Sequence, residues 1–226
     1  MLSPESAAVV RTTLPAVGGA LDEITARFYG TMFADRPEPG DRLRRITVKR
    51  VASVAETPEG EVSNRLHRIV GVGDQLTLSA PFGDVVLDDA DTPLLLVSAG
   101  IGCTPMVAML EHLASIGSTR PVHVLHADRT PADHALRADT RRLVEELSDA
   151  RAEFWYEQNA SDEAGSHTGL MDLDGLDLPT DADVYLCGAL PFMRAVRSQL
   201  IGVGIPARRV RYEVFGPDLL LAHAEG

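Results

Sequence analysis

Leu94-Leu95-Leu96-Val97-Ser98-Ala99-Gly100-Ile101-Gly102-Cys103-Thr104-Pro105 is the stretch on which the fold reading turns. An unbroken apolar run of this kind suits a parallel strand buried on both faces, and it leads into two glycines and a helix start. Thr104 suits a helix cap and Pro105 the first helical position. Glycines let a backbone approach a pyrophosphate closely, while unpaired N–H groups and the positive end of the helix dipole favour phosphate charge. Gly100, Ile101, Gly102, Cys103, Thr104 and Pro105 are therefore candidate dinucleotide-binding residues. The same pattern also suits a tight strand-to-helix turn that holds no ligand.

Beyond this stretch, strand and helix patterns alternate. A helix is expected from about Thr104 to Ile116, a strand over Val122 to Ala127, a helix near Ala138 to Leu147 and a strand over Glu153 to Glu157. A strand over Val184 to Cys187, a helix over Phe192 to Ile201 and a strand over Arg209 to Phe215 follow, which together predict a doubly wound parallel sheet. Ligands of such sheets bind at the carboxyl ends of the strands, where Cys187 and Gly188 would stand. Either cysteine could equally be a small buried hydrophobe. At the end of the second strand, Arg129 could pair with a 2'-phosphate and Asp128 could take a ribose hydroxyl, which leaves NADH and NADPH both open. Nine acids and no Lys or Arg lie between Arg151 and Arg194. Asp172, Asp174 and Asp177 lack the glycine and terminal Glu of a calcium loop, so this stretch reads as a solvated surface loop with no metal site.

Upstream, residues 41–90 alternate as short strands broken by turns at Pro58 to Gly60, Val72-Gly73-Asp74 and Ala80 to Asp84, which suggests an antiparallel sheet or part of a barrel. Residues 1–36 read as helical, and Arg36-Pro37-Glu38-Pro39-Gly40 ends them. Three regions result: 1–36, 41–90 and 91–226. With 33 acids against 21 bases and a formal charge of -12, the chain would repel nucleic acid and anionic membranes, so a small-molecule partner is expected. Two cysteines are too few for a secreted disulfide framework, and no run is long enough for a membrane span, which together predict a cytoplasmic protein.

Taken together, these segments resemble the ferredoxin-reductase-like family, and most closely the reductase part of flavohaemoglobins. Gly100 to Pro105 resembles the family's nicotinamide-dinucleotide loop, and Cys187-Gly188-Ala189-Leu190-Pro191-Phe192-Met193 its Cys-Gly-Pro segment, with Ala189 in place of the usual proline. Gly60-Glu61-Val62-Ser63-Asn64-Arg65-Leu66-His67 is similar to the flavohaemoglobin segment that approaches the FAD pyrophosphate. Tyr212-Glu213-Val214-Phe215-Gly216-Pro217 is similar to the carboxyl-terminal flavin segment. The resemblance implies an α/β dinucleotide domain after an antiparallel flavin domain. It implies Cys187 and Glu213 as catalytic residues, and Gly188, Ser63, Asn64, Val214, Phe215, Gly216 and Pro217 as cofactor contacts. FAD and NAD(P)H are the implied cofactors.

The opening residues also resemble the first helices of the flavohaemoglobin globin domain, with Tyr29 at the distal position. The first histidine in the chain is His67, so no haem is expected and nitric oxide dioxygenation, the reaction of intact relatives, should be absent. The family's Arg-x-Tyr-Ser or Arg-x-Tyr-Thr strand is also missing, as though a contiguous piece had been lost between about Pro37 and Gly40. That loss predicts weakened FAD binding and an incomplete barrel open to self-association. The expected function is NAD(P)H-oxidising, FAD-dependent electron transfer to an unidentified acceptor. The alternative is a non-enzymatic NAD(P)H-binding remnant unable to hold FAD.

Overall fold

The computed structural model describes residues 47–53, 58–74, 85–160 and 164–213. It divides into two compact units, Met1–Gly83 and Asp84–Gly226. The expected globin-like helices with Tyr29, the strand at Gln75 to Ser79, the turn at Ala80 to Asp84 and the flavin segment Val214 to Pro217 lie outside the described residues.

In the second unit, six parallel strands form one sheet: β1 (Leu94–Ala99), β2 (Val122–Asp128), β3 (Ala150–Tyr156), β4 (Ser166–Thr168), β5 (Asp183–Cys187) and β6 (Val210–Tyr212). Their spatial order is β4-β3-β2-β1-β5-β6. The chain thus winds outward from β1 on one side through β4, then returns to lay β5 on the other side. β1 is buried on both faces because its side chains alternate. Leu95 and Val97 pack with Leu125, Val184 and Leu186, whereas Leu94 and Leu96 pack with Val124 and Tyr185.

Helices cover both faces. After the amphipathic start of α1 (Glu61–Ile69) in the first unit, the second unit contains α2 (Cys103–Ser115), α3 (Arg137–Glu146) and α4 (Leu190–Gly202). α2 turns Met106, Val107, Leu110 and Leu113 onto the Leu94 and Leu96 face, the recurrence that a helical stripe requires. α4 presents Met193, Val196 and Leu200 to the opposite face. Among the described residues no helix is long and apolar enough to cross a membrane.

Two expectations need correction. Residues 47–53 form no strand, and Glu61–Ile69 is a helix where short strands and turns were expected. Val62, Leu66 and Ile69 recur at helical rather than alternating spacing, and the first two are the ones partly sheltered from solvent. The acidic stretch is likewise more than a solvated loop. Asp172, Asp174 and Asp177 are exposed, but Ser166–Thr168 joins the sheet as β4, and Met171, Leu173 and Leu178 between the acids are core residues. Alternation of acid and apolar residue lets one side of this segment face water while the other fills the core.

A charged network fastens residues 85–92 to the sheet at the end opposite the strands' carboxyl termini. Arg120, almost fully buried, reaches Asp88 at 3.2 Å and Asp183 at 3.4 Å and donates to the Thr92 carbonyl. Arg209 meets Asp183 at 3.2 Å, and Arg211 meets Asp88 at 2.6 Å. The Tyr185 hydroxyl donates to the Val86 carbonyl at 2.8 Å and accepts from the Asp88 N–H at 3.1 Å. Burial opposes ionisation of Asp88, but the Arg211 hydrogen bond and the charges of Arg211 and Arg120 outweigh it and hold the carboxyl below its ordinary range.

Removing one partner of a buried ion pair leaves an uncompensated charge, so Arg120→Ala is expected to destabilise the protein by about 3 kcal/mol, read from denaturant unfolding. Asp88, with its depressed folded-state pKa, stabilises fully above the unfolded carboxylate range, and that contribution disappears as pH falls through the folded value. Asp88→Asn should therefore flatten the acid side of the stability profile, measured as midpoint against pH, and an unchanged acid side would contradict this assignment.

Candidate functional site

β1 is the strand at which the winding reverses, and the crevice between its carboxyl end and that of β5 is where open sheets of this topology take ligands. The register puts Ser98 beside Cys187, so the turns that follow each strand begin side by side. Gly100, Ile101 and Gly102 form a single 3-10 turn, and Gly100 has a φ of 54°, a region that glycine enters without penalty. α2 then starts at Cys103, whose N–H is held by the Gly100 and Ile101 carbonyls.

Gly102 carries the clearest steric message. A Cβ built there would lie 2.7 Å from the Cys187 carbonyl carbon and 3.0 Å from the Gly188 nitrogen and would overlap the Cys187 carbonyl oxygen. Any side chain would force the two turns apart. Gly188 is similarly confined, since its Cβ would meet the Phe192 ring at 2.8 Å and the Ala99 nitrogen at 3.2 Å. The two glycine-bearing turns thus meet backbone to backbone at the switch point, beside a helix whose first turn holds no acidic residue. This arrangement fits a pyrophosphate, which needs close backbone approach and a positive helix end.

Thr104 departs from its expected role. It is buried one residue inside α2, and its hydroxyl donates to the Ile101 carbonyl at 3.1 Å instead of capping the helix. Pro105 lies in the first turn of α2, where a missing N–H does little harm. Cys103 is buried, and its thiol donates to the Ala135 carbonyl at 3.3 Å.

Cys187 is buried at the end of β5, among the residues beneath α2. Burial, and then the negative charge of Glu213, push its thiol up to about 12, so near neutral pH it is a neutral thiol and a poor nucleophile. The same influence places Glu213 near Cys187, as the pairing of Leu186 with Tyr212 on the preceding residues would lead one to expect. Gly100 to Pro105, Cys187, Gly188 and Glu213 accordingly gather at one end of one sheet. Ser63 and Asn64 belong to the other unit.

In that unit, Ser63 and Asn64 are buried in the first turn of α1. The Ser63 hydroxyl donates to the Gly60 carbonyl at 3.1 Å and accepts from the Val51 N–H at 3.2 Å. The Asn64 amide donates to the Val51 carbonyl at 2.7 Å and the Gly60 carbonyl at 2.8 Å, while its oxygen accepts from Arg50 at 2.7 Å. Both side chains are occupied in tying residues 50–51 to the helix start.

Four residues near the crevice were not singled out from the sequence: Ser98, His126, His134 and Tyr156. For three of them the signal is a polar residue near the end of a strand, Ser98 on β1, His126 on β2 and Tyr156 on β3, whereas His134 lies on a connection and carries none. Ser98, His126 and Phe154 stand level across β1, β2 and β3. At the end of β2, Asp128 turns inward, its oxygen accepting the Arg129 N–H at 2.8 Å, while the Arg129 guanidinium is largely exposed, 3.6 Å from Asp133.

Residues 96–198 match the family described as the oxidoreductase NAD-binding domain. The chain is 45% identical over 186 residues to a flavohemoprotein of Chromobacterium violaceum, covering 79% of this chain and 46% of that protein. A flavohemoprotein of Rhizobium meliloti is 35% identical over 240 residues, covering 96% and 59%. The chain therefore spans about half the length of the curated relatives it matches. Among solved structures, the flavohem-like FAD/NAD-binding domain of nitric oxide dioxygenase from Vibrio cholerae superposes with a TM-score of 0.70 at 38% identity, covering 76% of this chain and 71% of that one.

Gly102→Ala is expected to separate the two turns and weaken dinucleotide binding by at least about tenfold in a fluorescence titration with NADH. Unchanged affinity would show that the close approach of Gly102 to β5 does not shape the binding site.

Proposed function

Because this chain belongs to the flavohaemoglobin family through the reductase part of its members, we propose that it is an NAD(P)H-oxidising, FAD-dependent electron-transfer protein. The observation that carries this reading is the backbone contact of Gly102 with Cys187 and Gly188 at the switch point of the sheet. When bound, the nicotinamide and flavin supply the hydride donor and acceptor, and the protein's share is positioning and electrostatics.

Gly100, Ile101 and Gly102, with the start of α2 at Cys103 and Thr104, hold the dinucleotide pyrophosphate. Gly188 keeps the second turn thin enough for the nicotinamide side to lie against backbone. Cys187 acts as a neutral, buried thiol beside the nicotinamide position, which suits a packing and orienting role. Glu213, close enough to raise that thiol's pKa, places a negative charge at the same end of the sheet.

For the flavin, the resemblance of Gly60 to His67 to the segment that approaches the FAD pyrophosphate assigns that role to the start of α1, where Ser63 and Asn64 fix the backbone and Glu61 adds an acid to the first turn. By the resemblance of Tyr212 to Pro217 to the family's carboxyl-terminal flavin segment, Phe215 would offer its flat apolar face to the flavin ring. FAD is held more weakly than in relatives that carry the Arg-x-Tyr-Ser or Arg-x-Tyr-Thr strand, and an incomplete flavin domain favours self-association. Residues 1–66 contain no histidine, so this segment supplies no proximal haem ligand.

At the end of β2, Arg129 is the side chain open to a ribose substituent, since Asp128 faces inward. If Arg129 pairs with a 2'-phosphate, Arg129→Ala will weaken NADPH binding while sparing NADH, and equal losses for both would remove that role. The wider reading is tested by supplying FAD to the purified protein, desalting it and recording anaerobic visible spectra before and after NADH. Retained flavin bands that bleach with NADH are expected. A colourless protein that still binds NADH would instead identify a dinucleotide-binding protein without flavin chemistry.

A further inference from the structure

The connection from β2 to α3 holds an unusual local conformation that the proposed reaction does not use. Leu136, which precedes α3, has a φ of 57°, a left-handed backbone conformation that a leucine adopts at a cost and keeps only where its surroundings enforce it. Two residues earlier, His134 is almost wholly buried. Its ring stacks on His126 with centroids 3.9 Å apart and an interplanar angle of 27°, and it meets the Phe154 ring edge-on at 5.0 Å. Its Nδ1 hydrogen-bonds the Tyr156 hydroxyl at 2.8 Å, while its buried Nε2 has no hydrogen-bond partner. His126 in turn bonds Ser98 on β1 at 2.9 Å. One chain of contacts therefore runs from Ser98, through His126 and His134, to Tyr156, across the carboxyl ends of β1, β2 and β3.

Between His134 and Leu136 lies Ala135, whose carbonyl accepts the Cys103 thiol at the start of α2. The strained turn, the buried imidazole and this bond involve three consecutive residues, so displacing the imidazole would shift the carbonyl that Cys103 meets. We propose that His134 is a positioning residue for the dinucleotide site, fixing the β2-to-α3 connection so that Ala135 braces the turn at Gly100 to Cys103. This inference rests on the dinucleotide reading of that turn. Burial, with the neighbouring His126, Arg137 and Arg141, pushes the His134 ring down to about 2 against the pull of Asp128, so the brace is a neutral imidazole throughout the working pH range. An imidazole with one unsatisfied buried nitrogen is a poor choice for filling space alone, so its place here is argued from the geometry that it imposes.

The test compares the whole protein with His134→Ala, His134→Asn and, as a control of similar burial on the same face, Leu143→Ala. Asn keeps a hydrogen-bonding atom near the place of Nδ1. The readouts are the NADH dissociation constant, the rate of Cys103 alkylation followed by peptide mass spectrometry, and the thermal midpoint. His134→Ala is expected to weaken NADH binding about tenfold and to speed Cys103 alkylation, with His134→Asn restoring most of both. Leu143→Ala should lower the midpoint yet leave affinity and Cys103 protection near the parent values. Unchanged affinity and protection in His134→Ala, or the same two changes in Leu143→Ala, would overturn the proposal. If the parent protein binds neither NADH nor NADPH, the dinucleotide reading falls and the link to binding with it, while the Cys103 rate still decides whether His134 braces the turn.

Discussion

The approach of Gly102 to the carboxyl end of β5 is the constraint on which the site depends. Two parallel strands can bring their following turns into contact only if neither turn carries a side chain at the meeting point, and Gly102 and Gly188 satisfy that condition from the two sides. The strand order places this contact at β1, where the direction of winding reverses and the helices after β1 and β5 diverge to opposite faces. A crevice there follows from topology. Its suitability for a pyrophosphate follows from backbone approach and helix polarity, both of which the glycines and α2 provide.

Burial governs the chemistry of the ionisable groups around the crevice. Cys187 is kept as a thiol and His134 as a neutral ring, so these two buried groups near the site offer shape and hydrogen bonding in place of charge. Charge is concentrated at the other end of the sheet, where Arg120, Arg209 and Arg211 engage Asp88 and Asp183. That network ties the segment entering β1 to β5 and β6. The strands whose carboxyl ends build the site are thereby held in register from their amino ends.

The second unit was largely legible in the sequence because its signals are long and mutually consistent. Leu94 to Val97 announce a doubly buried strand, and the apolar spacing of Met106, Leu110 and Leu113 announces the helix after it. Boundaries shift by one to three residues, the largest at the start of β3, and Thr104 is a first-turn donor and not a cap because the 3-10 turn at Gly100–Gly102 starts the helix a residue earlier. β4 was missed because three residues rich in polar atoms carry little periodic signal, and its membership of the sheet is decided by pairing with Phe154 to Tyr156. The helix at Glu61–Ile69 was obscured by the strand-like stretches on either side of it. Among site residues, glycines and cysteines were visible from their place after apolar runs. His134 was not, since its role arises from a fold that stacks it on His126, eight positions away.

Hydrogen–deuterium exchange of the whole protein with and without saturating NADH tests the central claim most directly. If the dinucleotide is held where β1 and β5 meet, added protection will fall on the backbone of Gly100 to Thr104 and on Gly188, with the opposite end of the sheet unchanged. Protection confined to other segments, or none at either turn, would contradict the assignment of this crevice as the dinucleotide site.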